Sequence, residues 1–361
     1  MKTNLRQAAG SLLVVGLGGT ELTGLEQAWL KLVRPGGIIL FRRNVADAAQ
    51  TRALLDDATA ICAPASFRMV DVEGGTVDRL RDALAPIPSA QAVATTGKPV
   101  LMREHGALVA RAVRAFGFNT SLAPVLDLAL PDSAEVLGTR APAPTGTGVT
   151  EYARAFLAGL VEHRVVGCGK HYPGLAGGTL DSHLETPTIH RDTRALWQED
   201  LAPYRALHNE LPMIMMNHAA YPDTPGKERP ASVSRYWIAN VLKRRIGYRG
   251  IVFSDDLQMG GILKYMPIEE AAIAALRAGT DLLEICHSPE LTLRAYESLL
   301  AEGERSAAFR ALLFDRAKYI ARQRARLFAS EIPRALTAKQ FEALRTRILH
   351  FREKIEKAQP A

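Results

Sequence analysis

Three features of the sequence point to an α/β chain folded as a (β/α)8 barrel of the TIM type. Eight short apolar runs recur over roughly the first 290 of its 361 residues. None alternates cleanly between polar and apolar positions, as befits parallel strands buried on both faces. Amphipathic stretches at helical spacing lie between them, and a body near 300 residues suits eight strand–helix units.

The first run, Ser11–Leu17, stops at Gly18-Gly19. It is too short for a signal peptide, so a buried strand and a cytoplasmic protein are expected. Its turn does not fit G-x-G-x-x-G, which argues against a doubly wound nucleotide-binding sheet. Helical patterns over 22–33 and 46–61 lead to runs 36–41 and 66–72, and one over 103–116 leads to 119–127. The Pro/Gly/Thr-rich segment Ala141–Gly148 reads as the next βα loop. Patterns over 150–163, 193–208, 234–245 and 268–278 then introduce runs 165–171, 212–218, 250–256 and 281–286. Ser234 and Pro267 are start signals for the last two helices. No run is long enough to span a bilayer. Cys62, Cys168 and Cys286 are far apart and form no C-x-x-C, so neither a disulfide framework nor a zinc knuckle is indicated.

Composition divides the chain into a barrel, 1–302, and a basic helical C-terminal extension, 303–361. There are 45 Lys and Arg against 38 Asp and Glu, a net charge of +7. Residues 301–361 hold 14 of the basic residues and seven of the acidic ones, and the first 300 balance at 31 each. Within the extension, Phe341, Leu344, Ile348, Phe351 and Ile355 form one helical stripe. It suits a helix docked on the barrel or on a second copy of the chain, as a homodimer. Nucleic acid is not an expected partner, because no recognition module or interleaved exposed aromatics accompany the charge.

Barrel active sites lie where strands end, and the unusual polar residues cluster there. The third run ends in Asp71-Val72-Glu73, the fourth in Asp127 with Arg140 in the loop beyond. The fifth ends in Lys170-His171, the sixth in Asn217-His218, the seventh in Ser254-Asp255-Asp256. One such residue could be a helix cap or a paired core charge; the same asymmetry on five consecutive strands argues for a site. In the loop after the fifth run, Asp181 and His183 are two apart, so in extended chain the carboxylate can orient the imidazole and raise its basicity. The bland alternative is a loop aspartate capping a turn beside an exposed histidine. Of Asp255 and Asp256, one should face the mouth while the other caps the next helix or pairs with a cation. The first run offers no metal ligand, so a metal site is not expected, and no cofactor is expected. Lys170 could form a Schiff base, or with His171 bind hydroxyl groups.

These residues, in order from about 9 to 290, resemble glycoside hydrolase family 3, in particular its single-domain bacterial β-N-acetylglucosaminidases (β-N-acetylhexosaminidases) of cell-wall recycling. The resemblance is carried by Gly36–Phe41 with Arg43-Asn44, Asp71–Gly75, Leu122–Asp127, Lys170–Gly174, Asp181-Ser182-His183, Phe253–Met259 and Ala278–Leu283. It implies a retaining mechanism through a covalent glycosyl-enzyme, with Asp255 as nucleophile and His183, oriented by Asp181, as acid/base. Asp71, Arg140, Lys170 and His171 would bind sugar hydroxyls, with His218 lining the pocket. Larger β-glucosidases of the family take an acid/base glutamate from a second domain, for which the roughly 75 residues after the eighth run are too few. Leu175-Ala176, Ala141-Pro142 and Val72 depart from the family pattern and bear on the leaving group and the N-acetyl substituent. A β-glucosidase, a glycoside phosphorylase and a catalytically silent sugar-binding barrel are the alternatives.

Overall fold

The computed structural model describes residues 4–177, 187–328 and 335–359. Eight strands close a parallel barrel: β1 Leu13–Gly16, β2 Gly37–Leu40, β3 Phe67–Val70, β4 Thr120–Ser121, β5 Val166–Tyr172, β6 Met213–Met216, β7 Ile251–Asp256 and β8 Leu282–Ile285. Each pairs with its neighbours in sequence, and β8 returns to β1 through Leu13↔Leu283 and Val14↔Glu284. All eight apolar runs thus become strands of the expected fold. β4 is the shortest. Pro124 has no N–H to donate, and beyond Ser121 the pairing resumes only as an isolated bridge between Val125 and Lys170.

The helices follow their local signals, with three departures. Thr23 and Glu26 cap each other's backbone at the start of Gly24–Val33. The expected helix over 193–208 divides into Thr193–Gln198 and Ala202–Leu207. Pro203 cannot supply an interior hydrogen bond and sits in the first turn of the second piece, where none is needed. The helix expected from Ser234 is Tyr236–Ile246, with Arg235 at its cap. The loop through Ala141–Gly148 ends early, because Thr145 caps a helix that begins at Gly146.

The basic extension has two seats. Helix Ala307–Leu327 lies across the N-terminal end of the barrel. There Arg316 pairs with Asp281 at 2.7 Å, and Tyr319 donates to the Arg249 carbonyl at 2.8 Å. Phe328, just past its end, meets Phe67 edge to face at 5.1 Å. Helix Ala338–Ala358 docks on the outside of the barrel, against helix Pro99–Ala115. Leu344, Ile348, Phe351 and Ile355 are each at most 2% exposed. Phe351 stacks on His105 at 6.2 Å, Phe341 packs on Phe116 at 5.9 Å, and Lys354 reaches Glu104 at 3.1 Å. The stripe is therefore buried against the chain's own barrel, and the homodimer loses the surface that suggested it. Replacing Phe351 with alanine should cost about 3–5 kcal/mol, read from urea unfolding; a loss below about 1 kcal/mol, within the range of ordinary surface changes, would mean the helix is not docked in solution. Among the described residues, no helix is long and apolar enough to cross a membrane.

Candidate active site

A pocket of about 400 Å³ opens at the C-terminal ends of the strands, lined among others by Asp71, Arg140, Lys170, His171, Asp255 and Glu284. It is where the mouth cluster was expected.

One wall is a network of paired charges. Residues two apart on an extended chain share a face, so Asp71 and Glu73 both turn toward Lys170, while Val72 between them is fully buried. The Lys170 ammonium lies 2.8 Å from Asp71 and 2.6 Å from Glu73. Glu73 also receives the Arg140 fork, Nε at 2.8 Å and Nη2 at 2.9 Å. Burial alone would raise the Glu73 carboxyl, but Arg140 and Lys170 hold it far below the usual carboxylate range. The turn beyond requires Gly74: its φ is +92°, and a Cβ there would fall 2.0 Å from the Pro88 carbonyl oxygen.

His171 is fixed from both sides. Arg140 Nη2 lies 3.3 Å from its Nε2, and Asp127 lies 2.6 Å from its Nδ1. The Asp127 carboxylate can only accept, so Nδ1–H donates to it. The other Asp127 oxygen accepts from the Leu175 N–H at 2.8 Å, tying the start of the next loop to the same carboxylate.

Asp255 is bound less tightly than Asp71 and Glu73. Its Oδ1 accepts only the Asp256 N–H, at 2.9 Å, and it forms no ion pair with a described residue. Burial pushes its carboxyl up, yet His171, His218, the Asp256 N–H and Lys170 together bring it below the ordinary value. Asp256 also lines the mouth and neither caps the next helix nor pairs with a described arginine or lysine, so the division of roles expected for the pair does not hold. It accepts from the Gln258 N–H at 3.0 Å and the Cys286 N–H at 3.2 Å, and burial raises it to about 6.

His218 sits elsewhere than expected. It is fully buried and is not among the described residues that line the pocket. Its Nε2–H donates to the Asp256 carbonyl at 3.0 Å, and its Nδ1 meets Ser232 Oγ at 2.7 Å. Through the Asp256 carbonyl it holds the end of β7, close enough to Asp255 to help lower that carboxyl. Asp181 and His183 lie outside the described residues. Asp71, Arg140, Lys170, His171 and Asp255 are brought together.

Three contributors escaped the sequence reading. Glu73 stands out in the sequence as a strand-end residue, but its part as the hub joining Lys170 and Arg140 is visible only in the fold. Glu284, inside the apolar run of β8, lines the pocket at 2% exposure. Burial and the negative charges of Asp255, Asp256 and Asp71 raise its carboxyl well above the usual range, so it keeps its proton. Phe41, with the Arg43 guanidinium 4.8 Å from its ring centre, adds an aromatic wall.

Asp200 anchors the loop that follows β5. A Cβ on Gly174 would fall 2.8 Å from its side chain, and Arg191, beyond the loop, pairs with it at 2.9 Å. Burial outweighs Arg191 and raises the Asp200 carboxyl to about 7 from an ordinary 3.8. The folded state therefore keeps a proton that the unfolded chain releases, and stability falls as pH rises from about 4 to about 7. Asp200→Asn should flatten this part of the profile, measured as urea midpoints between pH 4.5 and 8. An unchanged slope would remove Asp200 as its source.

Comparison with known proteins agrees with this geometry. Residues 4–316 match the family model described as the glycosyl hydrolase family 3 N terminal domain. The beta-hexosaminidase of Alkalilimnicola ehrlichii is 39% identical over 285 residues, 77% of this chain and 81% of that protein. A glycoside hydrolase family 3 beta-N-acetylglucosaminidase from Paenibacillus sp. str. FPU-7 superposes with a TM-score of 0.87 at 28% identity, covering 97% of this chain and 69% of that one. NagZ from Neisseria gonorrhoeae, solved with N-trifluoroacetyl-D-glucosamine, gives a TM-score of 0.75 at 27% identity, covering 94% and 98%. The motif resemblance is thereby borne out: the chain belongs to glycosyl hydrolase family 3 and is a glycoside hydrolase acting on O-glycosyl bonds.

Proposed function

We propose that the protein is a retaining β-N-acetylglucosaminidase that releases terminal N-acetylhexosamine, acting on peptidoglycan fragments in cell-wall recycling in the cytoplasm. The relatives named beta-hexosaminidase and the neighbours named beta-N-acetylglucosaminidase support the substrate class. The observation that carries the mechanism is Asp255: held below the ordinary carboxylate value, in no ion pair with a described residue and open to the pocket. Its neighbours Asp71 and Glu73 are tied up by Lys170 and Arg140.

In this reading Asp255 attacks the anomeric carbon while the glycosidic oxygen takes a proton from the His183 imidazolium, which Asp181 orients. Water then attacks the glycosyl ester, gives its proton to His183, and Asp255 leaves as the carboxylate. Lys170, Asp71, Arg140 and His171 position the sugar hydroxyls, and His218 acts through the β7 backbone. No cofactor and no nucleic acid enter this reading. The barrel, 1–302, carries the chemistry, and the extension, 303–361, is structural.

A 2-fluoro glycosyl donor should leave its label on Asp255, located by peptide mass spectrometry; a label elsewhere would sink the nucleophile assignment. His183→Ala should slow substrates with poor leaving groups at least tenfold more than activated aryl glycosides, and equal loss on both would argue against the acid role. A panel of nitrophenyl glycosides, with and without phosphate, separates N-acetylglucosaminidase from glucosidase, phosphorylase and silent binder.

A further inference from the structure

At the opposite end of the barrel, a hollow of about 720 Å³ lies between helix Ala307–Leu327 and the connections leading into β1, β2 and β3. Its lining is largely apolar, with Pro64, Phe314 and Ala317 among the contributors, yet it also holds Arg34, Lys318 and Arg324 and, among the described residues, no carboxylate. Arg324 is 4% exposed. Its Nη1 donates to the Gly36 carbonyl at 3.3 Å, while its Nε–H meets no acceptor. Two other arginines in this part of the molecule are matched: Arg68 with Asp56 at 2.6 Å, Arg316 with Asp281 at 2.7 Å. The acidic group facing Arg324 is the Cys62 thiol, and burial pushes that thiol up to about 12, so it brings no negative charge near neutral pH. A guanidinium withdrawn from water without a counter-charge is costly, and an anion placed beside it relieves that cost.

We propose that this hollow binds an amphipathic carboxylate, its head on Arg324 with Arg34 and Lys318 alongside, and its apolar body along Phe314 and Ala317. A guanidinium matches a carboxylate in shape and charge, and the volume falls in the usual range for small-molecule sites. The site lies at the far end of the barrel from Asp255, so its occupant does not compete with the sugar.

The full chain titrated calorimetrically with sodium octanoate should show saturable binding, with 1-octanol at least tenfold weaker. Arg324→Met should weaken octanoate at least tenfold while leaving the circular dichroism unchanged. Should that variant not fold, Ala321→Phe, on the exposed rim of the hollow, leaves Arg324 in place and should block entry with a similar loss. Absence of octanoate binding to the native chain, equal affinity for octanol, or full octanoate affinity in either folded variant would overturn the proposal.

Discussion

Asp255→Ala should lower kcat/KM for a nitrophenyl N-acetylglucosaminide by roughly 10⁴-fold or more, the scale seen when a member of a catalytic unit is deleted. Folding should be little affected, because Asp255 contributes one hydrogen bond and no ion pair to the described structure. Added azide should restore part of the turnover and yield an α-glycosyl azide. A small anion can enter where the carboxylate stood and attack the face opposite the β leaving group. A loss below tenfold, or a rescued product of β configuration, would remove Asp255 from the nucleophile's place. Because its carboxyl is held below the ordinary value, Asp255 stays ionised through mildly acidic conditions. An acid limb of the activity profile near pH 5–6 would therefore report another group.

The second large effect concerns stability. Glu73→Ala leaves Lys170, 3% exposed, with Asp71 alone and leaves the Arg140 fork without its carboxylate, with His171 Nε2 at 3.3 Å as its remaining neighbour. Removing one member of a buried charge network costs about 3–5 kcal/mol, chiefly through the charges left behind. The loss should appear in urea unfolding together with a raised KM, since Lys170 and Arg140 would no longer be held against the pocket. Glu73→Gln keeps the shape and should recover part of the stability. A stable Glu73→Ala variant with unchanged KM would mean that the network does not organise the site.

Much of this molecule was readable before its folding was known, for definite reasons. Strands buried on both faces write themselves as unbroken apolar runs, and all eight were found. The stripe from Phe341 to Ile355 announced a docked helix, but not that helix Pro99–Ala115 would receive it, because a stripe carries no address. Glu73 stayed obscure since its meaning depends on Lys170, almost a hundred residues away. Glu284 was hidden by its neighbours: in Asp281-Leu-Leu-Glu-Ile-Cys286 it reads as one polar residue in a core strand. His218 shows the opposite error, because its position at a strand end reveals depth along the barrel and not the direction of the ring. Pro203, by contrast, was a visible helix breaker that the longer amphipathic pattern obscured.

Closure of the barrel sets the timetable of synthesis. The β1–β8 seam joins Leu13 to Leu283, so the first strand leaves the ribosome long before its second neighbour exists. Until then the growing sheet has open edges on both sides, the condition that invites pairing with other chains. Helix Ala307–Leu327 is made later still, and its Arg316–Asp281 contact requires the residue that leads into β8. A chain stopped short of β8 therefore lacks more than its last strand: it keeps β1 and β7 as unpaired edges and is expected to aggregate rather than fold into a smaller stable body.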